Sequence, residues 1–252
     1  SKPQLHFHNQ DLATKGQVRF TDRVWSVAST IEKASSSVAP IFDKGLTTSA
    51  NVESMASVDF SVLLANASSG GLVLEGPTSI TLDGTTMRIT NSRAGWTSQV
   101  VAMPANGTVY VKTVSVTTTT TRYGRTTTTS TTYNGDIDVA APNGLQGRLT
   151  FVADNDINIV NHVRYKTNPE TTPTSNDALG LVAKQDVVVT TAAPNNVEIF
   201  AHMIAQSGGF GVANYNSGSA RGTMKIYGGI VNSVRNGVNT NGGATGYVKN
   251  YI

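Results

Sequence analysis

Aspartate is the first residue type whose spacing suggests chemistry. Asp136 and Asp138 alternate with Ile137, so both carboxylates lie on one face of a strand, and Asp154, Asp156 and Asp186 follow in similar settings. Two carboxylates across a groove are what glycoside hydrolysis needs. A plainer reading fits these residues better: Asp154, Asp156 and Asp186 recur at equivalent corners, where Asp side chains accept backbone N–H groups. His6 and His8 share a strand face, a pattern zinc can use, yet no third ligand stands nearby. Solvent-facing polar positions account for that pair. His162 and His202 are isolated and read as surface or coil-edge residues. No nucleophile elbow, phosphate loop or dinucleotide fingerprint occurs. Gly208-Gly209-Phe210-Gly211 and Gly242-Gly243 lack the strand-to-helix context of a phosphate loop and read as tight turns. The chain is therefore expected to be no enzyme and to hold neither metal nor cofactor.

Cations offer a different chemistry. Lys112, Arg122, Arg125, Arg148, Arg164, Lys166, Arg221, Lys225, Arg235 and Lys249 are scattered along the sequence, with Tyr110, Tyr123, Tyr165 and Tyr227 among them. If the chain stacks in coils, such residues align as a stripe. A basic stripe with aromatic rings tracks a nucleic-acid backbone without reading its sequence. The alternative is an ordinary solvated surface, since the net charge is only +3.

The elements that must carry these side chains are short strands. The chain has 252 residues, no cysteine, 24 glycines, 38% hydrophobic and 14% charged residues. The absence of cysteine removes disulfide frameworks and thiolate metal sites. The densest apolar run, Val62-Leu63-Leu64-Ala65, is far short of the ~20 residues of a membrane helix. Helix signals are weak, the best lying at Thr30-Ile31-Glu32-Lys33-Ala34. Alternating stretches recur throughout, among them Leu5-His6-Phe7, Ile80-Thr81-Leu82, Met87-Arg88-Ile89, Val109-Tyr110-Val111, Ile157-Asn158-Ile159 and Val187-Val188-Val189. Residues 153–159 align with 183–189 at an offset of 30, and 199–203 with 226–230 at an offset of 27. A repeat of this length built from short strands predicts a solenoid. The expected fold is all-β: a single domain over residues 1–252, a right-handed parallel β-solenoid (β-helix) of about eight to ten coils. Ile157, Ile159, Val187, Val189, Ile199, Ile226 and Ile230 are the expected core.

Two segments break the rhythm. Residues 113–133 hold 12 threonines in 21 residues, with Tyr123-Gly124 at the centre. Thr is β-branched and favours extended chain. The segment predicts a projecting Thr-rich hairpin with Arg122, Tyr123 and Arg125 at its tip. Residues 166–178, with prolines at 169 and 173, predict an irregular loop between coils.

The C-terminal third carries a resemblance. Its residues are Gly180-Leu181-Val182-Ala183-Lys184-Gln185-Asp186-Val187, Val197-Glu198-Ile199-Phe200-Ala201-His202-Met203-Ile204-Ala205 and Gly209-Phe210-Gly211-Val212. Lys225-Ile226-Tyr227-Gly228-Gly229-Ile230, Arg235-Asn236-Gly237-Val238 and Gly246-Tyr247-Val248-Lys249-Asn250-Tyr251 complete it. This order resembles the end of a bacterial family of pilin-like surface proteins that includes the competence-associated minor pilins (ComZ type) of type IV pili. The resemblance covers residues 180–251 and extends in part to residues 5–20. It implies an extracellular, cell-surface or pilus-associated β-solenoid that binds DNA non-specifically during natural transformation. It also implies contact with other pilin subunits through a part outside this chain, which opens on Ser1 and reads as a mature or excised fragment without membrane contact. The DNA-contacting residues expected on this reading are Arg122, Tyr123, Arg125, Arg221, Lys225 and Arg235. The rivals are an adhesin or structural surface module that binds glycans or proteins, and a carbohydrate-active β-helix enzyme.

Overall fold

The computed structural model describes residues 19–20, 24–25, 41–49, 57–172, 174–240 and 242–252. The His6 and His8 pair, the strand expected at residues 5–7 and the helix candidate at residues 30–34 lie outside them. The sequence reads as one domain; contacts group the chain into two compact units, residues 1–56 and 57–252. The first holds β1 (Arg19–Phe20), β2 (Val24–Trp25), β3 (Ile41–Phe42) and β4 (Leu46–Thr47). β1 pairs with β3 and β2 with β4, both in parallel, with Arg19 opposite Ile41 and Val24 opposite Leu46.

The second unit opens with the helix α1 (Phe60–Ser68), then β5 (Leu72–Glu75), β6 (Thr78–Asp83), β7 (Thr86–Asn91), β8 (Trp96–Ala102) and β9 (Thr108–Lys112). β10 (Val114–Arg122) and β11 (Arg125–Tyr133) follow, then β12 (Ile137–Leu145), β13 (Arg148–Ala153), β14 (Ile157–Tyr165), β15 (Ala178–Ala183) and β16 (Val187–Val189). The chain ends through β17 (Glu198–Phe200), β18 (His202–Val212), β19 (Ala220–Tyr227), β20 (Ile230–Arg235), β21 (Asn239–Thr240) and β22 (Thr245–Tyr251). All-β is the right class. Of the loop expected over residues 166–178, the described residues up to Asp177 hold no strand, and Ala178 already opens β15.

Three parallel ladders make most of a 16-stranded mixed sheet. The first runs β5, β9, β13, β15, β18, β20. The second runs β6, β12, β14, β16 and the end of β18. The third joins the ends of β12 and β14 to β17, β19 and β22. The register is the one the repeat predicts: Ala153 faces Ala183, Ile157 faces Val187, Ile199 faces Ile226 and Met203 faces Ile230. Parallel in-register neighbours point the same way, so apolar positions stack on apolar positions. Ile157, Ile159, Val187, Val189, Ile199 and Ile226 are all fully buried in one core, and Ile230 packs partly buried against it.

Three features depart from the expectation of regular coils. β6, β7 and β8 form an antiparallel meander rather than successive coils. Its first turn is the two-residue loop Gly84-Thr85 between the paired Asp83 and Thr86, with Gly84 at φ +59°, and Gly at the first position of such a loop is a hairpin signal. β21 and β22 add a short antiparallel pair at the other end. Among the described residues six strands succeed one another in the first ladder against the eight to ten coils expected of the whole chain, and the meander and the Thr-rich segment take up chain that plain turns would use.

Helix α1 is also unexpected. The side chain of Asp59 accepts from the amides of Ser61 and Val62, satisfying two donors that a helix start leaves open. Its apolar residues Phe60, Leu63, Leu64 and Ala67 then recur at helical spacing. They cover a stripe on the outer side of the first ladder, formed by Val73, Tyr110, Val152, Val182 and Ile204. Tyr110 is only 2% exposed as a result.

Candidate nucleic-acid interface

The Thr-rich segment is a hairpin in perfect two-residue register, from Val114 opposite Tyr133 to Arg122 opposite Arg125. Tyr123 and Gly124 lie at φ +49° and +72°, the paired left-handed geometry of a type I′ turn. That turn twists with the strands, which is why a ribbon this long closes with two residues. The hairpin is a sheet of its own, separate from the large one. Every residue from Ser115 to Thr132 is exposed, and Tyr123 is 96% exposed.

The two faces of the ribbon differ. Cross-strand partners share a face, and residues two apart along a strand share it too. On one face the hydroxyls satisfy each other: Ser115 with Thr132 at 2.8 Å, Thr121 with Thr126 at 3.1 Å, and Thr119 with Thr128 at 3.3 Å. The opposite face carries Thr118, Thr120, Arg122, Arg125, Thr127 and Thr129. None of these six side chains makes a hydrogen bond or ion pair among the described residues. The Arg122 guanidinium lies 5.7 Å from the centre of the Tyr123 ring. Free hydroxyls are thus presented on one face only.

The ribbon is rooted by Asp154. Its carboxylate accepts from the Tyr110 hydroxyl at 2.6 Å and from the Thr113 amide at 3.0 Å, and it pairs with Lys184. Burial pushes this carboxyl up, but the Lys184, Tyr110 and Thr113 bonds together outweigh burial and hold it below the usual carboxylate range. The same burial and the Asp154 carboxylate raise the Tyr110 phenol. On the other side of the root, Arg93 lies over the Tyr133 ring at 5.0 Å.

The remaining expected contacts are dispersed. Arg221 and Lys225 sit on β19 in the third ladder, whereas Arg235 ends β20 against Phe210 of the second. Arg221 donates to the carbonyls of Thr190, Thr191 and Ala193 and stacks on Tyr247 at 4.6 Å. Lys225 pairs with Glu170 and lies 3.9 Å from Glu198, which also binds Arg164. The expected basic stripe is therefore not formed there: cations alternate with carboxylates down the ladder. Of the four tyrosines expected among the cations at the surface, Tyr123 stands free at the ribbon tip and the other three do not. Tyr110 is covered by α1, while Tyr165 and Tyr227 pack edge-on against Phe200 and each other.

The aspartates form a stack. Asp136 accepts from the Asp156 amide, Asp156 from the Asp186 amide, and Asp186 from the Gly209 amide, at 3.1, 2.9 and 2.7 Å. Each carboxylate thus ties its corner to the next, the turn-capping role expected of Asp156 and Asp186; Asp136 joins them, whereas Asp154, expected at an equivalent corner, stands apart at the root of the ribbon. Asp138 instead binds Asn158 at 2.9 Å and Ser79 at 3.3 Å. Among the described residues no group of three or more acidic or histidine side chains is placed to hold a metal ion. His162 Nδ1 accepts the Glu198 amide at 3.1 Å, and burial, then the nearby Arg164, push its pKa down.

Asp156 carries a pH signature. Burial, with Asp136 and Asp186 on either side, raises its carboxyl above the usual range despite the Asp186 amide. A carboxyl raised on folding costs stability once it ionises. The cost is absent below the ordinary Asp pKa, grows as pH rises toward the folded value, and is complete above it. Asn keeps an oxygen for the Asp186 amide and removes the charge. Asp156→Asn is therefore expected to raise stability at pH 7 by about 0.5–1 kcal/mol, about 1–3 °C in Tm. In thermal melts from pH 7 to pH 3 the gain should vanish at the acid end. A gain that persists at pH 3 would contradict this assignment.

Compared with protein-family models, curated proteins and solved structures, the chain finds no match.

Proposed function

We propose that the chain is an extracellular, non-catalytic binding module built on a right-handed parallel β-solenoid, whose Thr-rich ribbon is a contact arm for DNA. The three in-register ladders support the solenoid, since each turn of a three-sided coil adds one strand to each ladder. The pilin-like setting, at the cell surface or on a pilus and alongside other pilin subunits, follows the resemblance in the C-terminal third. Non-specific binding of DNA during natural transformation is the activity that setting suggests.

The observation that carries the DNA reading is the asymmetry of the ribbon. One face spends its hydroxyls on itself, while the other sets two arginines beside unpaired threonine hydroxyls, with an exposed tyrosine at the tip. Arginine and hydroxyl donors suit phosphate oxygens, and a free aromatic ring stacks on an unpaired base. Arg221 and Lys225 drop out as primary contacts, because each already holds protein acceptors.

The test is the salt dependence of binding. Each phosphate neutralised on a duplex contributes about 0.9 to the slope of log affinity against log salt. Arg122→Gln with Arg125→Gln is expected to reduce that slope by about 2, measured by fluorescence anisotropy with a 20-base-pair duplex from 50 to 200 mM NaCl. The double variant Arg221→Gln with Lys225→Gln should leave the slope nearly unchanged. The reverse pattern would move the interface onto β19, and no measurable DNA binding at 50 mM would leave the adhesin as the better reading.

A further inference from the structure

The strands that end the ladders differ from the strands they stack on. Met203, Ala205, Phe210, Met224 and Ile226 are core residues, none more than 4% exposed. Their in-register neighbours are Ile230, Asn232, Arg235, Lys249 and Tyr251. Parallel neighbours point the same way. The last turn therefore aims an amide, a guanidinium, an ammonium and a phenol along the direction in which the turn beneath it aims apolar groups. A cleft of about 170 Å³ opens at this point, lined by Phe210, Ile230, Arg235, Lys249, Tyr251 and the two asparagines 232 and 236. None of its lining residues is acidic.

Simple capping of the core does not explain this choice. A polar cap needs to be wet, and uncharged side chains such as Asn232 serve that end. Two cations in one cleft repel each other, and desolvation makes the repulsion worse. Lys249 shows the result: its ammonium lies 5.6 Å from the centre of the Phe210 ring and makes no hydrogen bond or ion pair among the described residues. Burial first, and Arg235 second, hold its pKa below that of an ordinary lysine. The Tyr251 hydroxyl also has no hydrogen-bond partner among the described residues.

We propose that this terminal cleft is a binding site for a phosphate-class oxyanion, held by Lys249 and Arg235 with the Tyr251 hydroxyl as a further donor. An ammonium and a guanidinium converging without a lining carboxylate supply charge-assisted donors for several oxygens of one anion. The cleft suits a single phosphate group rather than a stretch of polymer, and Phe210 and Ile230 form an apolar floor beneath it. This site lies in the C-terminal ladders and does not depend on the ribbon reading. The same chemistry is offered by a free phosphate monoester and by one phosphodiester of a nucleic acid.

The test uses the full chain with ¹³C-labelled lysine. The Lys249 ε-methylene signal is identified as the one lost in Lys249→Met, and inorganic phosphate is titrated against it at constant ionic strength, with chloride as control. Saturable movement of that signal with phosphate but not chloride is expected, with about tenfold weaker binding in Arg235→Gln, the loss of one charge-assisted contact. No movement, or equal movement with chloride, overturns the site. Equal phosphate affinity in Arg235→Gln overturns it as well. A short single-stranded oligonucleotide then separates the sources. If it moves the Lys249 signal at lower concentration than phosphate does, the phosphodiester is the ligand; if only phosphate moves it, the ligand is a free phosphate. Failure of DNA binding at Arg122 and Arg125 leaves both of these outcomes open to measurement.

Discussion

Ile157→Asp is expected to abolish the cooperative thermal transition of the 57–252 unit. Ile157 is fully buried, with Ile137 on one side in the ladder and Val187 on the other. Its neighbours in the core are aliphatic, so no donor is available to a carboxylate placed there. Burying a polar group without a partner is costly, and a charge more so. The penalty is about 4–5 kcal/mol, among the largest that single substitutions produce. Typical domains have only about 5–15 kcal/mol in hand. The defect also sits in the middle of the stack, so it separates turns on both sides. Ile157→Val controls for local packing, with a cost of about 1 kcal/mol and a Tm lower by about 2–4 °C. Circular dichroism melts of both variants check the pair. If Ile157→Asp melts within a few degrees of the parent, the side chain does not point into a shared core.

That register was legible because a repeat at the sequence level becomes a contact in a ladder. Ile157 and Val187 are 30 residues apart in sequence and neighbours in space, so aligning the two segments was enough. The hairpin was legible for a local reason: Tyr123-Gly124 between two runs of β-branched residues specifies its own turn. Other features carry local signals of the same kind. Gly84-Thr85 between two alternating stretches announces the meander, and Asp59 ahead of Phe60, Leu63, Leu64 and Ala67 announces α1. The fate of the cations was not legible in this way. Lys225 meets Glu170 across 55 residues of sequence, and Arg221 reaches carbonyls 28 to 31 residues away. Such pairings depend on which turn stacks on which, and on the side chain's direction, so spacing alone cannot supply them. Lys249 is the sharpest case. Only the register of β22 on β19 places it above Met224 rather than at the surface.

Removal of the ribbon is expected to have the second large effect, on binding and not on stability. Residues 117–132 are all exposed and contribute nothing to the buried core. The contacts that root the ribbon, from Asp154 to Tyr110, Thr113 and Lys184, lie outside this span. A short Asn-Gly turn is a suitable closure, since that pair adopts the type I′ geometry seen at Tyr123-Gly124. Shortening a surface excursion changes stability only slightly. What the deletion does remove is both arginines of the unpaired face and the tyrosine at the tip. Stacking on one base is worth about 1–3 kcal/mol, and the two arginine–phosphate contacts add to it at low salt.

The most direct measurement of the central claim is the DNA affinity of this deletion variant at 50 mM NaCl, taken beside its thermal midpoint and those of the full chain. The ribbon as contact arm predicts a midpoint within about 2 °C of the parent and an affinity lower by about tenfold or more. An unchanged midpoint with unchanged affinity would contradict it, because the fold would be intact and the DNA held elsewhere.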